Sequence, residues 1–196
     1  KYAPCGQHYA FEPLPHLYKN LKSKYTKRAH LYPHALSNKE GITTFQYVKS
    51  NPAYSGLKKR KYDRTTEEVI EITVDQTKLD EMIPDDIRID LIKIDVEGSE
   101  LLVMQGATDT INRCRPSVQV EIVPKQCTLF GYEPQDLYDF FAQRDYVCVS
   151  AIRRAANADQ RGLWFGKDIG MKHRQIKKYM DRLFVPREVH DQTDYG

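Results

Sequence analysis

Surplus charge, long apolar runs and patterned cysteines are all scarce in this chain, and each shortage removes a class of function. The formal net charge is only +3 over 196 residues, so the electrostatic footprint of a dedicated nucleic-acid binder is missing. No run approaches the roughly 18 apolar residues of a membrane span, and no signal peptide opens the chain. The four cysteines, Cys5, Cys114, Cys127 and Cys148, form no C-x-x-C pair and no zinc-like Cys/His spacing, which argues against a disulfide framework or a metal centre. Cys148 stands in the apolar run YVCVSAI and reads as a small buried hydrophobe, in keeping with a reducing compartment. The expectation is a soluble cytoplasmic protein with no nucleic-acid partner and no membrane span.

What is present is enough hydrophobic residue, 40%, to build the core of one globular domain. Two basic runs stand out, LKKRKYDR (57–64) and KHRQIKKYMDR (172–182). Such runs usually form a solvated loop or helix face, and binding of an anionic acceptor is the alternative.

Read for periodicity, the chain alternates strands and helices. QHYAFEP (7–13) alternates as a strand, and Leu14, Leu17, Tyr18 and Leu21 then fall on one helical face with Pro15 in the first turn. AHLYPHAL (29–36) reads as a strand that Pro33 would interrupt. The β-branched runs ITTFQYV (42–48) and VIEITV (69–74) suggest an antiparallel excursion around a polar, basic loop. IDLIKIDV (89–96) is the most strand-like piece, followed by a helix over residues 100–114, a strand PSVQVEIV and a helix PQDLYDFFAQRD. YVCVSAI and GLWFG (162–166) follow as successive strands. The fold class expected is α/β, a mostly parallel sheet with an antiparallel edge. The domain would span residues 1–170, with 171–196 a basic tail, helical at first.

In such a sheet, ligands bind beyond the carboxyl ends of the parallel strands, so Glu12 and Asp95 should both face the ligand crevice. Glu12 is a candidate clamp for the two hydroxyls of a ribose; the alternative is an acid placed near the positive end of the following helix. In the stretch LIKIDVEGSE (91–100), Asp95 should be desolvated at the end of a buried strand unless paired, and Lys93, two residues back, is its candidate partner. Ser99 reads as an N-cap, Glu100 as a first-turn helix acid, and Gly98 as the residue that turns the chain.

The ordered stretches YAFEPLPHLYKNL, HALSNKEG, VDQTKLDEM, IDLIKIDVEGSELLVMQGA and RPSVQVEI resemble the successive motifs of FkbM-type methyltransferases over residues 7–166. The resemblance implies a seven-stranded Rossmann-like sheet, S-adenosylmethionine as cofactor, and O-methylation of a small-molecule or glycan hydroxyl, on a sugar or a secondary metabolite. It implies that Glu12 holds the cofactor ribose, that Ala35, Leu36 and Ser37 border the adenine, and that Asp95 lies near the methionine moiety and the transferring methyl. Glu97 would stand beside the acceptor, and Tyr54 and Ser55 in NPAYSGL (51–57) would contact it. Asp95 or Glu97 would serve as base, with Glu121 at the next strand end as third candidate; His34 reads as structural, and no metal is expected. One departure is plain: nothing before Gln7 carries the acidic, glycine-containing loop with which the family begins, and Gly6 stands alone. The first βα unit is then expected to be missing, either because the chain is a fragment, inactive alone, or because the protein serves another purpose. A non-catalytic binding module and a nucleotide or nucleotide-sugar enzyme of Rossmann type stay open, the second weakened by the absence of G-x-G-x-x-G.

Overall fold

The computed structural model describes residues 6–62, 67–151, 165–168 and 181–191. The fold is mixed α/β and divides into two compact units, Lys1–Met82 with Leu102–Ala107, and Ile83–Leu101 with Thr108–Gly196.

The first unit opens with a βαβ element. β1 (Tyr9–Phe11) leads into α1 (Pro15–Tyr25), and β2 (His30–Tyr32) returns parallel to β1. Pro15 starts α1 where a missing N–H costs nothing. Aromatic pairs lock the register, with Tyr9 stacked on His30 at 4.8 Å and Phe11 on Tyr32 at 5.1 Å. Pro33 ends β2, and the chain resumes as β3 (His34–Leu36) in a different sheet. The residue without a ladder donor is thus where the expected single strand divides.

β4 (Gly41–Val48) and β5 (Val69–Thr77) form the expected antiparallel excursion, paired from Gly41↔Gln76 to Val48↔Val69, and β3 joins β5 in parallel. Leu14, Ala35, Phe45 and Val74 form the core of this unit, flanked by Leu17, Tyr47, Leu57 and Ile72.

The helix expected over residues 100–114 is two helices, α2 (Glu100–Gln105) and α3 (Thr108–Cys114). Gly106 lies between them, so close to the Ser37 carbonyl that a Cβ would stand 2.0 Å from its oxygen. The Gly106 carbonyl in turn accepts the Asp80 N–H at 3.0 Å.

The second unit is built on a five-stranded sheet. β6 (Leu91–Ile94) and β7 (Ser117–Glu121) are parallel. α4 (Pro124–Leu129) and α5 (Pro134–Ala142) lead to β8 (Tyr146–Ala151) and β9 (Phe165–Asp168). β10 (Asp181–Pro186) and the short α6 (Arg187–His190) follow, and the spatial order is β6-β7-β10-β8-β9. β9 is the expected antiparallel edge strand; of the stretch read as GLWFG, only Phe165 and Gly166 lie within the described residues.

β10 corrects the expectation. Residues 171–180 lie outside the described segments, but Asp181–Pro186, read as part of a tail leaving the domain, run antiparallel between β7 and β8, so antiparallel pairing also occupies the middle of the sheet. The physical reason is burial: Leu183 and Val185 pack with Val147 and Val149, while Phe184 stacks on Phe141 at 4.0 Å. Cys148 is half-buried instead of buried, because strand alternation turns Val147 and Val149 into that core. Among the described residues no helix is long and apolar enough to cross a membrane.

Candidate active site

In the second unit the acids gather where β6, β7 and β10 meet. Ile94 pairs with Val120 in the parallel β6–β7 ladder, so Asp95 emerges one step beyond, level with Glu121, and Asp181 is the register partner of Glu121 from the other side. A row of carboxylates thus crosses three neighbouring strand ends. Glu121 is half-buried, hydrogen-bonds to Asp95 and feels the charges of Asp95, Glu97 and Asp181. Burial first, then these neighbours, pushes its carboxyl up to about 7.

Asp95 is not the desolvated acid that the sequence suggests. Its side chain is 44% exposed, and Lys93 Nζ pairs with it at 2.9 Å, the partnership read from their spacing. A four-residue parallel strand at the edge of the sheet leaves alternate side chains in solvent, and Lys93 and Asp95 share that face.

The turn after Asp95 is held by a group the sequence assigned only to the helix end. Glu100 is 1% exposed, and its Oε1 accepts the N–H groups of Val96 at 3.2 Å and Gly98 at 3.1 Å. The Tyr132 hydroxyl donates to the Gly98 carbonyl at 2.9 Å and lies 3.2 Å from Glu100 Oε2. Burial raises the Glu100 pKa, and the backbone donors and Tyr132 oppose the rise. Ser99 is buried and donates to the Val96 carbonyl. This latch keeps Glu97 at φ +58 and Gly98 at φ +109, both left-handed. Gly98 passes so close to α4 that a Cβ would meet the Gln126 side chain at 2.9 Å. Gln126 Nε2 donates to Glu97 Oε2 at 2.6 Å and so fixes that carboxylate.

In the first unit Glu12 follows β1 directly. Its Oε1 accepts the Leu14 N–H at 2.9 Å at the entry to α1, so the helix-end reading describes one of its oxygens. Burial raises its pKa, opposed by the Leu14 N–H and by His16. Ala35 is committed to the core and Ser37 is 2% exposed, with its carbonyl against Gly106; of the three adenine candidates, Leu36 alone is half-buried. Ser55 is also buried, its Oγ accepting the Val48 N–H at 3.0 Å, while Tyr54 is half-buried in a 3-10 turn, Pro52–Tyr54.

Asp181, Gln126 and Tyr132 are the site neighbours that sequence reasoning missed. The signal for Asp181 was the apolar run Leu183–Val185 directly behind it, and the signal for Gln126 was Pro124, which opens α4. Among the described residues, no three His, Cys, Asp or Glu side chains converge to hold a metal ion.

The fold is mixed α/β, and Asp95 and Glu121 stand at the carboxyl ends of two parallel strands, the position at which open α/β sheets bind ligands. Residues 1–148 match the methyltransferase FkbM domain family, and the chain belongs to that family. No curated protein matches the chain significantly. Methyltransferase FkbM from Methylobacillus flagellatus KT, known from a crystal structure, is similar over 90% of this chain and 36% of its own, with 14% identity and a TM-score of 0.48. The chain thus spans little more than a third of that protein's length.

The residues of this chain fit S-adenosylmethionine in part. Glu12 offers a strand-end carboxylate whose burial is only partly offset by one N–H, and two ribose hydroxyls would complete its hydrogen bonding. Ala35 and Ser37 offer the adenine no side-chain surface comparable to that of Leu36.

Proposed function

We propose that the protein carrying this chain is an S-adenosylmethionine-dependent O-methyltransferase acting on a hydroxyl of a sugar, glycan or secondary metabolite. Family membership supports the reaction class, and one observation supports the hydroxyl: Glu121, beside Asp95, is held near neutral pKa. A carboxylate of that basicity accepts a hydroxyl proton more readily than an ordinary one, and about half of it is deprotonated near pH 7.

When bound, the cofactor supplies a methyl group already activated by the sulfonium. The chain then has to hold, align and take up a proton. Glu12 would hold the ribose hydroxyls, and Leu36 would lie along the adenine. Asp95, paired with Lys93, would lie toward the methionine moiety, and Glu97, fixed by Gln126, would stand on the acceptor side. Glu121 is the base. Tyr54 contacts the acceptor from the loop after β4, and Ser55 supports that loop through Val48. A Rossmann-like, cytoplasmic protein completes this reading, and Cys114, Cys127 and Cys148, none of them in a disulfide, suit a reducing compartment.

The test is transfer of labelled methyl from S-adenosylmethionine to a panel of hydroxylated sugars and metabolites, alongside cofactor binding by calorimetry. Glu97→Gln is expected to reduce turnover with little change in cofactor affinity. Absence of cofactor binding in the folded protein would replace this reading with that of a non-catalytic module.

A further inference from the structure

Charge is unevenly shared along this chain. Residues 13–39 hold six cationic side chains, Lys19, Lys22, Lys24, Lys27, Arg28 and Lys39, and neither an aspartate nor a glutamate. The formal net charge of all 196 residues is +3, so this segment contributes +6 and the remainder −3. Such asymmetry points to a negatively charged partner for the basic part.

Four of the six cations gather where α1 ends. Residues 22–28, which include Lys22, Lys24, Lys27 and Arg28, are exposed without a break. Lys22 lies 5.5 Å over the Tyr18 ring, and among the described residues none of the four forms an ion pair. A basic last turn complements the negative end of a helix, which accounts for Lys22 and Lys24. It does not account for Lys27 and Arg28, which lie past the Thr26 cap, or for Tyr25, whose ring is 46% exposed between them.

The shape of this tip limits what it can meet. Leu14 and Leu17 seat the first turns of α1 in the core of the first unit, whereas every side chain from Lys22 to Arg28 faces solvent. A convex tip offers no groove for an acidic peptide and no row of rings on which the bases of a nucleic-acid strand could stack. It fits a surface that is flat and negative over a wide area. Three of the four cations are lysines, point charges on flexible stems that demand no fixed fork geometry and so suit a fluid array of headgroups. Tyrosine combines an apolar ring with a polar hydroxyl, and such rings settle at the boundary between headgroups and acyl chains.

We propose that residues 22–28 dock the protein on an anionic membrane surface, with the cations among the lipid phosphates and Tyr25 at headgroup level. The attachment is peripheral, and it does not depend on methyl transfer.

The experiment is cosedimentation of the purified protein with phosphatidylcholine vesicles, alone or with about 30% phosphatidylserine, at low and physiological salt. Binding to the anionic vesicles is expected to be about tenfold or more tighter than to the neutral ones, and to weaken as salt rises. K24Q/K27Q removes two exposed cations and should weaken binding about tenfold or more with an unchanged thermal transition. K59Q/K61Q removes the same charge from exposed positions in the loop after β4 and should weaken it about threefold or less, because the field of a distant cation is screened. Tyr25→Ala should weaken vesicle binding and leave binding of single-stranded DNA unchanged. Equal binding to both kinds of vesicle, or equal losses in the two double variants, would overturn the proposal. So would tighter binding of single-stranded DNA or polyglutamate, at matched charge, than of the anionic vesicles.

Discussion

Glu121 hydrogen-bonds to Asp95 across the ends of two parallel strands, and this contact, added to burial, leaves the Glu121 carboxyl with a pKa of about 7. Two consequences follow, one for rate and one for stability. As base, Glu121 works deprotonated, so kcat/KM should rise through pH 7 to a plateau, and Asp95→Asn, by removing a neighbouring charge, should move that limb to lower pH. For folding, a carboxyl raised above its ordinary value of 4.5 contributes stability that is present below that value and lost as pH rises through about 7. Melting temperatures of wild type and Glu121→Gln from pH 5 to 8 provide the check: the wild-type decline should flatten in the variant. Parallel profiles would remove Glu121 from both roles.

Glu12 has one oxygen on the Leu14 N–H. Hydrogen bonds to a charged group contribute about 1.5 to 3 kcal/mol, so Glu12→Ala should weaken S-adenosylmethionine by roughly ten- to a hundredfold. Calorimetry on the folded variant reads this directly, and unchanged affinity would leave Glu12 with its helix-entry role only.

Glu100 serves the turn that carries Glu97, and its removal should be felt as structure. Glu100→Ala leaves the Val96 and Gly98 N–H groups without their acceptor in a buried setting, at a cost of about 3 kcal/mol, whereas Glu100→Gln keeps an acceptor oxygen and should cost about 1 kcal/mol. Denaturant unfolding distinguishes the two. Similar small losses in both variants would mean that the turn is held by its own backbone.

Gly106→Ala places a methyl group 2.0 Å from the Ser37 carbonyl oxygen, a backbone atom that cannot swing aside. Overpacking of that kind should cost about 3 kcal/mol or more. A melting temperature within a degree or two of wild type would show that the α2–α3 junction yields without strain.

The regular pieces of this fold were legible because their signals are local. The β-branched runs at 42–48 and 69–74 pair in full register, and the leucine and tyrosine spacing before residue 25 gives α1. Pro33 announced its own interruption. What escaped depends on distant partners. The break at Gly106 exists because Ser37 lies against it, and no window around residue 106 contains that fact. Leu183–Val185 is too short an apolar run to declare itself a strand, and only Val147, Val149 and Phe141 make it one. The acids of the DVEG stretch were visible, but their ranking was not: sequence placed the desolvation penalty on Asp95, whereas the fold exposes Asp95 beside Lys93, half-buries Glu121 and encloses Glu100.

β10 is inserted between two strands made long before it, with β7 complete at Glu121 and β8 at Ala151. During synthesis, then, the ribosome has delivered both neighbours while the strand that joins them is still unmade, and their facing hydrogen-bonding edges must wait for residues 181–186. Folding of this unit therefore waits until β10 has been translated, and until then the nascent chain carries a strand-accepting gap, which a chaperone or a neighbouring nascent chain can occupy.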